Sequence, residues 1–503
     1  MMNSTRQIKL GAVISYLSLF INIIIGLLYT PWMIKSIGKA DFGLYTLAMS
    51  VISIFVFDLG LGRAVTTFIA NYLSKGLYNS INCFLGIIYK LYLSIDIIII
   101  LILSSLYFFI PDLYKGLSPE EIEKFKIIYI LASCFCVFSF PFIPLTGILS
   151  AYEKFIQLKF CELFDKILRV ITMTVCLISG YGLYALVLVN VVVGIITILL
   201  KLFFVKRNTD IKIVWKFWER AEFKKIFNFS LWVTIIALAQ RCIFNFAPTI
   251  LGIVSNSKDI AVMGVAISLE GFIFMFANAL NGLFLPKVSR LVSEKKRDEI
   301  SALMVKVGRI QVLIIGLLLI GFIALGESFI LLWVGRDYAS VYLCTILLII
   351  PSFLHLPQEI AVTEMVVTNK VKYQAYVFVG MALLNLILAF PLSMQYGVLG
   401  MCISICIAYL ARTLGLNYIF YKKMNLDMFH FYVRVYIPFL KPIVFIIPIL
   451  VLLNFSMDYF NWISLFLHAC IILLLYIGVI WFFYLNSNEK NMFLNLFVKI
   501  IKK

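Results

Sequence analysis

The 503-residue sequence is short of charge: 14% of its positions are Asp, Glu, Lys or Arg, against 63% hydrophobic. A soluble chain carries about a quarter charged residues, so a water-soluble globular protein is excluded. Histidine is scarce, with 3 in the chain, and the 10 cysteines include no Cys-x-x-Cys pair. Cys83, Cys134, Cys136, Cys161, Cys176, Cys242, Cys344, Cys402, Cys406 and Cys470 all fall in or beside apolar segments. They read as small packing residues, and no metal site or disulfide framework is expected. The glycine-rich stretch Asp58-Leu59-Gly60-Leu61-Gly62-Arg63 lacks the spacing of a phosphate loop, and no cofactor is expected. Long polar segments are missing too. No loop could fold as a domain, so any function must be built from the apolar segments themselves.

Those segments are abundant. A helix needs about 20 apolar residues to cross the bilayer core, and about fourteen stretches qualify. They run at roughly 10–34, 42–64, 83–110, 127–150, 161–180, 183–205, 228–254, 260–286, 308–330, 340–368, 373–393, 397–420, 437–455 and 460–484. The first follows Arg6 and Lys9 but ends at Thr30-Pro31-Trp32 with no small-x-small cleavage pattern, so it reads as a spanning helix. The fifth is the most charged, with Glu162, Asp165, Lys166 and Arg169 at spacings that let them neutralise one another. The fold class expected is an all-α polytopic membrane protein.

The net charge of +18 is a matter of topology. Most Lys and Arg fall in the even-numbered loops and at the two ends, and few in the odd-numbered loops. Those within spans include Arg63, Lys90, Lys201, Arg241 and Arg412. This asymmetry places both termini in the cytoplasm, adds attraction to anionic membrane lipid, and argues against nucleic acid as a partner. Trp215-Lys216-Phe217-Trp218-Glu219-Arg220 mixes aromatic and basic residues as an interfacial helix would. Ser118-Pro119-Glu120-Glu121 reads as a helix start.

The chain describes itself twice, about 216 residues apart. Pro141 recurs as Pro357, Lys154 as Lys370, and Tyr181-Gly182 as Tyr396-Gly397. Pro31, Asp41 and Ser50 recur as Pro248, Asp259 and Ser268. The division expected is an N-lobe at 1–207 (helices 1–6), a C-lobe at 208–425 (helices 7–12), and an unrepeated pair, helices 13 and 14, at 426–503. Six is even, so the two six-helix repeats enter the membrane in the same orientation, as in transporters whose halves rock about a central site.

A charge at the bilayer centre costs at least about 2.5–3.5 kcal/mol, so each one needs an interior or watery place to face. Arg241 lies within helix 7, beside Gln240 and a turn before Asn245, and its repeat counterpart in helix 1 is uncharged. Glu270 lies in helix 8, at a depth differing by about 5 Å, and Asn278 and Asn281 continue its face. Two readings stand: a buried ion pair that sets helix register, or a cation in a substrate cavity. Ser15, Ser18, Asn22 and Tyr29 keep one face of helix 1, which therefore lines protein or water. Helix 3 offers Lys90, Ser94 and Asp96. Arg412 is close enough to the inner end of helix 12 to snorkel. Pro351 and Pro357 interrupt helix 10 and make it a candidate hinge, with His355 and Glu359 one turn apart as candidate coupling groups. Asp58, Gly60 and Gly62 close helix 2, where the glycines permit close approach or a bend.

The run Leu28-Tyr29-Thr30-Pro31-Trp32-Met33-Ile34, then Gly38-Lys39-Ala40-Asp41-Phe42-Gly43-Leu44-Tyr45 and Asp58 to Gly62, resembles the N-terminus of bacterial Wzx-type polysaccharide flippases. These belong to the multidrug/oligosaccharidyl-lipid/polysaccharide exporter superfamily. The resemblance implies a flippase, not an enzyme, that moves undecaprenyl-diphosphate-linked oligosaccharide to the outer leaflet of the bacterial inner membrane. It would serve O-antigen or capsule assembly beside polymerase and chain-length machinery. In related lipid II flippases, cavity arginines meet the diphosphate and the last two helices hold the lipid tail. Arg241 best suits the first role here, with Lys90 and Arg412 behind it, while helix 1 offers Asn22 and no cation. Two rivals remain: a multidrug exporter, which would have twelve helices, and a glycan polymerase or glycosyltransferase. The longest outer loop, with Asp112, Glu120, Glu121 and Glu123, lacks the D-x-D or E-x-D pattern such an enzyme would use.

Overall fold

A computed structural model describes residues 23–55, 61–278, 284–455, 461–487 and 489–490. All regular structure among them is helical, with no strand. The first half runs α1 (Ile23–Ile37), α2 (Lys39–Phe55), α3 (Leu61–Ser74), α4 (Tyr78–Leu113), α5 (Pro119–Ser139), α6 (Pro144–Ala151), α7 (Phe155–Ile178) and α8 (Leu183–Asn208). Then come α9 (Arg220–Phe244), α10 (Phe246–Val254), α11 (Ser257–Asn278), α12 (Leu285–Ser293), α13 (Arg297–Trp333), α14 (Val341–His355) and α15 (Glu359–Val367). The chain closes with α16 (Val371–Met424), α17 (Met428–Val435), α18 (Ile437–Phe455) and α19 (Trp462–Phe483).

Nine helical stretches among the described residues are long and apolar enough to cross a bilayer, ten if α1 and α2, bent by 118° at Gly38, form one span. The chain is a multi-pass membrane protein. Where their residues are described, the fourteen apolar segments are helical except at turns, bends and the breaks between helices. The charged fifth segment is α7. Segments eleven and twelve form one helical run, α16, broken at Gly397 with φ 56 and ψ −133. Only glycine reaches that conformation cheaply, and a Cβ there would come within 2.6 Å of the Asp259 carboxylate.

One local expectation needs correction. Residues 211–219 contain no helix, because α9 begins only at Arg220. The helix start expected at Ser118-Pro119 is present. α4 continues to Leu113 and α5 starts at Pro119, its Ser118 and Glu121 closing a reciprocal capping box.

The internal duplication is visible in the backbone. Pro141 and Pro357 both sit in 3-10 turns, Phe140–Phe142 and Leu356–Gln358, that interrupt a helix. Each interrupted helix then ends in the same cap. After α6 the chain leaves through Glu153 at φ 55, with the Lys154 N–H on the Leu149 carbonyl at 2.9 Å. After α15 it leaves through Asn369 at φ 56, with the Lys370 N–H on the Met365 carbonyl at 2.9 Å. Both caps return an N–H to a carbonyl five residues back, satisfying the orphan acceptors of a helix end.

By spatial proximity the chain forms two compact units, residues 1–268 with 374–405, and residues 269–373 with 406–503. In the first, α2 packs on α5 and α10, α3 on α6, and α7 on α8. The Asp41-Phe42-Gly43-Leu44-Tyr45 segment begins α2. Asp41 pairs with Lys124 at 2.9 Å, and Gly43 lies against the Ser257 carbonyl where a Cβ would collide. Phe42, Leu44 and Leu47 are buried.

In the second unit, α13 packs on α14, α17 and α19, and α18 on α19. The end of α19 is tied down by charge. Arg309 of α13 meets Glu489 in a bidentate pair at 2.6 and 2.8 Å, donates to the carbonyls of Tyr484 at 2.7 Å and Arg434 at 3.0 Å, and lies 4.2 Å from the Tyr484 ring. Both charged side chains are 10% exposed. Removing one partner of such a buried pair leaves the other uncompensated, at a cost of about 3–5 kcal/mol. Arg309→Ala and Glu489→Ala should each lower the thermal midpoint of the detergent-purified protein strongly. The double variant should be less destabilised than the sum of the singles.

Candidate functional site

A buried polar cluster of the second unit lies where α11, α14, α15 and the second part of α16 supply side chains. Sequence places its members by helical spacing. Ser352 and His355 share a face of α14, and Tyr409 and Arg412 share a face of α16. The Pro357 turn separates α14 from α15, whose first residue is Glu359.

Ser352 donates to the Glu270 carboxylate at 3.3 Å. His355 Nδ1 donates to the Pro351 carbonyl at 2.9 Å, and its ring lies 5.8 Å from that of Tyr409. The other side of the arrangement is Arg412, whose guanidinium sits 4.9 Å from the Tyr409 ring and feels the charge of Glu359. Arg412 is 6% exposed, and Glu270 and His355 are 7% exposed. Beside them, Gln358 and Asn417 both donate to the Tyr432 hydroxyl, at 2.5 and 2.8 Å. Cation, carboxylates, imidazole, amides and phenols are thus gathered in one membrane-embedded unit. Such a set can receive an anion at the guanidinium and hydroxyl-rich groups at the amides.

α16 runs on to Met424, which puts Arg412 roughly 18 Å from that end at 1.5 Å per residue, near the middle of the stretch after Gly397. The expected Glu270, His355, Glu359, Pro351 and Pro357 join it in the same unit.

The other expected residues lie elsewhere. Arg241 is in the last turn of α9, with its guanidinium on the Ser53 carbonyl. Asn245 is the break between α9 and α10, its N–H on the Arg241 carbonyl at 3.0 Å. Asp96 is buried on α4, 7% exposed. Lys90, also on α4, donates to the Phe217 carbonyl at 3.1 Å, so its ammonium holds backbone. Gly62 lies in the first turn of α3, and its carbonyl is 2.8 Å from where a Cβ on Gly147 would stand. Asn22, Asn281, Asp58 and Gly60 lie outside the described residues.

The first unit holds a second network. Arg169 makes a bidentate pair with Asp165, from Nη2 at 2.8 Å and Nε at 3.3 Å, and contacts Asn190. Asn190 donates to the Tyr45 hydroxyl at 3.0 Å, and Thr197 to Asp165 at 2.9 Å. Sequence reasoning found the Asp165–Arg169 spacing but overlooked Tyr45, Asn190, Thr197, Ser352 and Tyr409. Two signals were present: Asn190 is a lone amide in an otherwise apolar run, and Tyr409 precedes Arg412 by three residues on one helix.

A profile of the family described as "Polysaccharide biosynthesis protein" matches residues 9–292, more than half of the chain. No curated protein sequence matches. Among solved structures, the inward closed conformation of the lipid II flippase MurJ is similar over 94% of this chain and 98% of its own, with TM-score 0.69 and 15% identity. An inward-facing multidrug resistance MATE family transporter covers 78% of this chain and 96% of its own, with TM-score 0.62 and 13% identity. A MOP superfamily transporter from Pyrococcus furiosus covers 82% of this chain and 94% of its own, with TM-score 0.59 and 14% identity. At these identities the likeness is one of fold.

The stack of Arg412 on Tyr409 is measurable. A desolvated cation–π contact contributes about 2 kcal/mol or more, and an exposed one about 0.5–1 kcal/mol. In a double-mutant cycle on thermal unfolding, Arg412→Lys and Tyr409→Leu should couple by about 1–2 kcal/mol, since each removes the same planar contact. Additive losses would place the guanidinium off the ring.

Proposed function

The chain belongs to the polysaccharide biosynthesis protein family, and from that premise we propose that it is a flippase for lipid-linked oligosaccharide. The cargo is an undecaprenyl-diphosphate-linked repeat unit, carried from the cytoplasmic to the outer leaflet of the bacterial inner membrane for O-antigen or capsule assembly. Both termini lie in the cytoplasm. The observation that carries this reading is the buried guanidinium of Arg412, in the middle of the second part of α16, against the Tyr409 ring and under the charge of Glu359. A guanidinium in hydrocarbon is expensive to keep, and a diphosphate is the class of ligand that repays it.

In this account the diphosphate docks at Arg412. The first sugars meet Gln358, Asn417 and Tyr432. Glu270, Glu359 and His355 are the coupling groups, because a carboxylate that neutralises Arg412 in the empty state must give way when the anionic headgroup arrives. Residues 1–207 and 208–425 act as two lobes that alternate access, and helices 13 and 14 hold the lipid tail. The polymerase and chain-length machinery are the partners downstream. The coverage of the solved structures supports a flippase over a multidrug exporter. The MATE transporter leaves about a fifth of the chain without a counterpart, whereas MurJ leaves little.

The reading is tested in a strain that depends on this chain for its surface polysaccharide. Arg412→Ala and Arg412→Glu, at normal protein level, should lower that polysaccharide at least about ten-fold, the loss of one good charge-assisted contact. Lipid-linked repeat units should accumulate in the inner leaflet. Arg412→Lys should be intermediate, since it keeps the charge but not the fork. Wild-type polysaccharide in the Ala and Glu strains would overturn the assignment.

A further inference from the structure

The segment between α8 and α9 is held in an unusual way. Its backbone is strapped along one face of α4, through residues spaced 4, 7 and 8 positions from Asn82. The Asn82 side chain accepts from the Lys212 N–H at 2.9 Å and its carbonyl from the Val214 N–H at 3.2 Å. Gly86 lets the Val214 carbonyl press against α4, where a Cβ would collide. The Tyr89 ring stands 6.1 Å from that of Trp215, and Lys90 donates to the Phe217 carbonyl at 3.1 Å. With the backbone fixed, the side chains turn outward: Trp215 is 49% and Trp218 52% exposed. Lys212, Lys216 and Arg220 are exposed beside them, as are Lys206 and Arg207 in the last turn of α8. These five cations face only two exposed carboxylates of the segment, Asp210 and Glu219.

We propose that this strap is a docking site for the headgroups of anionic phospholipid, with Trp215 and Trp218 seated at the membrane–water boundary. The depth fits. At 36 residues α4 is roughly 54 Å long, against about 30 Å of hydrocarbon, so its first turns stand outside the apolar core. The strap is fastened to that end. Tryptophan prefers this boundary for its apolar ring and polar N–H, and a basic cluster beside it selects negative headgroups over zwitterionic ones. Lys90 is then a positioning residue for the strap, its ammonium also lying 5.8 Å from the Trp218 ring.

The test uses the full-length protein in liposomes containing brominated lipid, which quenches tryptophan on contact. The contribution of the pair is the difference between wild type and Trp215→Phe/Trp218→Phe. That contribution should be quenched at least twice as strongly by brominated phosphatidylglycerol as by brominated phosphatidylcholine at equal mole fraction. The preference should vanish in Lys212→Gln/Lys216→Gln/Arg220→Gln, and in the wild-type protein at high salt, where surface charge is screened. Equal quenching by the two lipids, or a preference unchanged in the triple variant, would overturn the proposal. So would abolition of the preference by equimolar undecaprenyl diphosphate, which would assign the strap to a diphosphate ligand.

Discussion

Hydrocarbon offers a charge nothing to bond, and that constraint organises this protein. With 63% of its residues hydrophobic, the chain can place helices in a membrane almost anywhere. It can place a guanidinium there only where protein replaces water. Three arginines show how this is done. Arg309 is matched by one carboxylate and two carbonyls, and so fastens the end of the last helix. Arg169 is matched by Asp165 and Asn190, and through the bond of Asn190 to Tyr45 the network joins three helices of the first unit. Arg412 rests on the face of Tyr409 within reach of Glu359, in the company of a histidine and a second carboxylate. The first two arrangements are braces. Under the proposed function the third is the receptor.

The fold was legible because its determinants are local. Apolar run length marks the spans, and Pro141, Pro357, Lys154 and Lys370 mark the breaks and caps that make the duplication visible in the backbone. These depend on a few neighbouring residues, as does the Ser118–Glu121 cap. The break at Gly397 was visible as Tyr396-Gly397, repeating Tyr181-Gly182, although the need for glycine comes from positive φ and the nearby Asp259 carboxylate.

The candidate site was legible only in part, and the failures share one physical origin. Distances across helices decide it, and spacing along a helix does not report them. Glu270, His355, Glu359 and Arg412 were each recognisable as costly residues in an apolar setting. Their gathering in one unit depends on how α11, α14 and α16 pack. Spacing along α16 leaves Arg412 a route to an interface, and only packing shows that its side chain is buried. Lys90 seemed free to serve a cavity, but its ammonium is occupied by the Phe217 carbonyl. The aromatic-basic stretch at Trp215 is not helical, because its long-range contacts with α4 hold its backbone in a turn and irregular chain.

The central claim is that this chain itself moves a lipid-linked glycan across a bilayer. Its most direct measurement is reconstituted translocation. Purified protein is placed in liposomes with a short-chain polyprenyl diphosphate carrying a fluorescent oligosaccharide, and an impermeant reductant then reports the outward-facing fraction. The account predicts that the protein exchanges this lipid between leaflets well above the rate of protein-free vesicles, and that Arg412→Glu returns the rate to that background. Equal rates with and without wild-type protein, at confirmed incorporation, would contradict it.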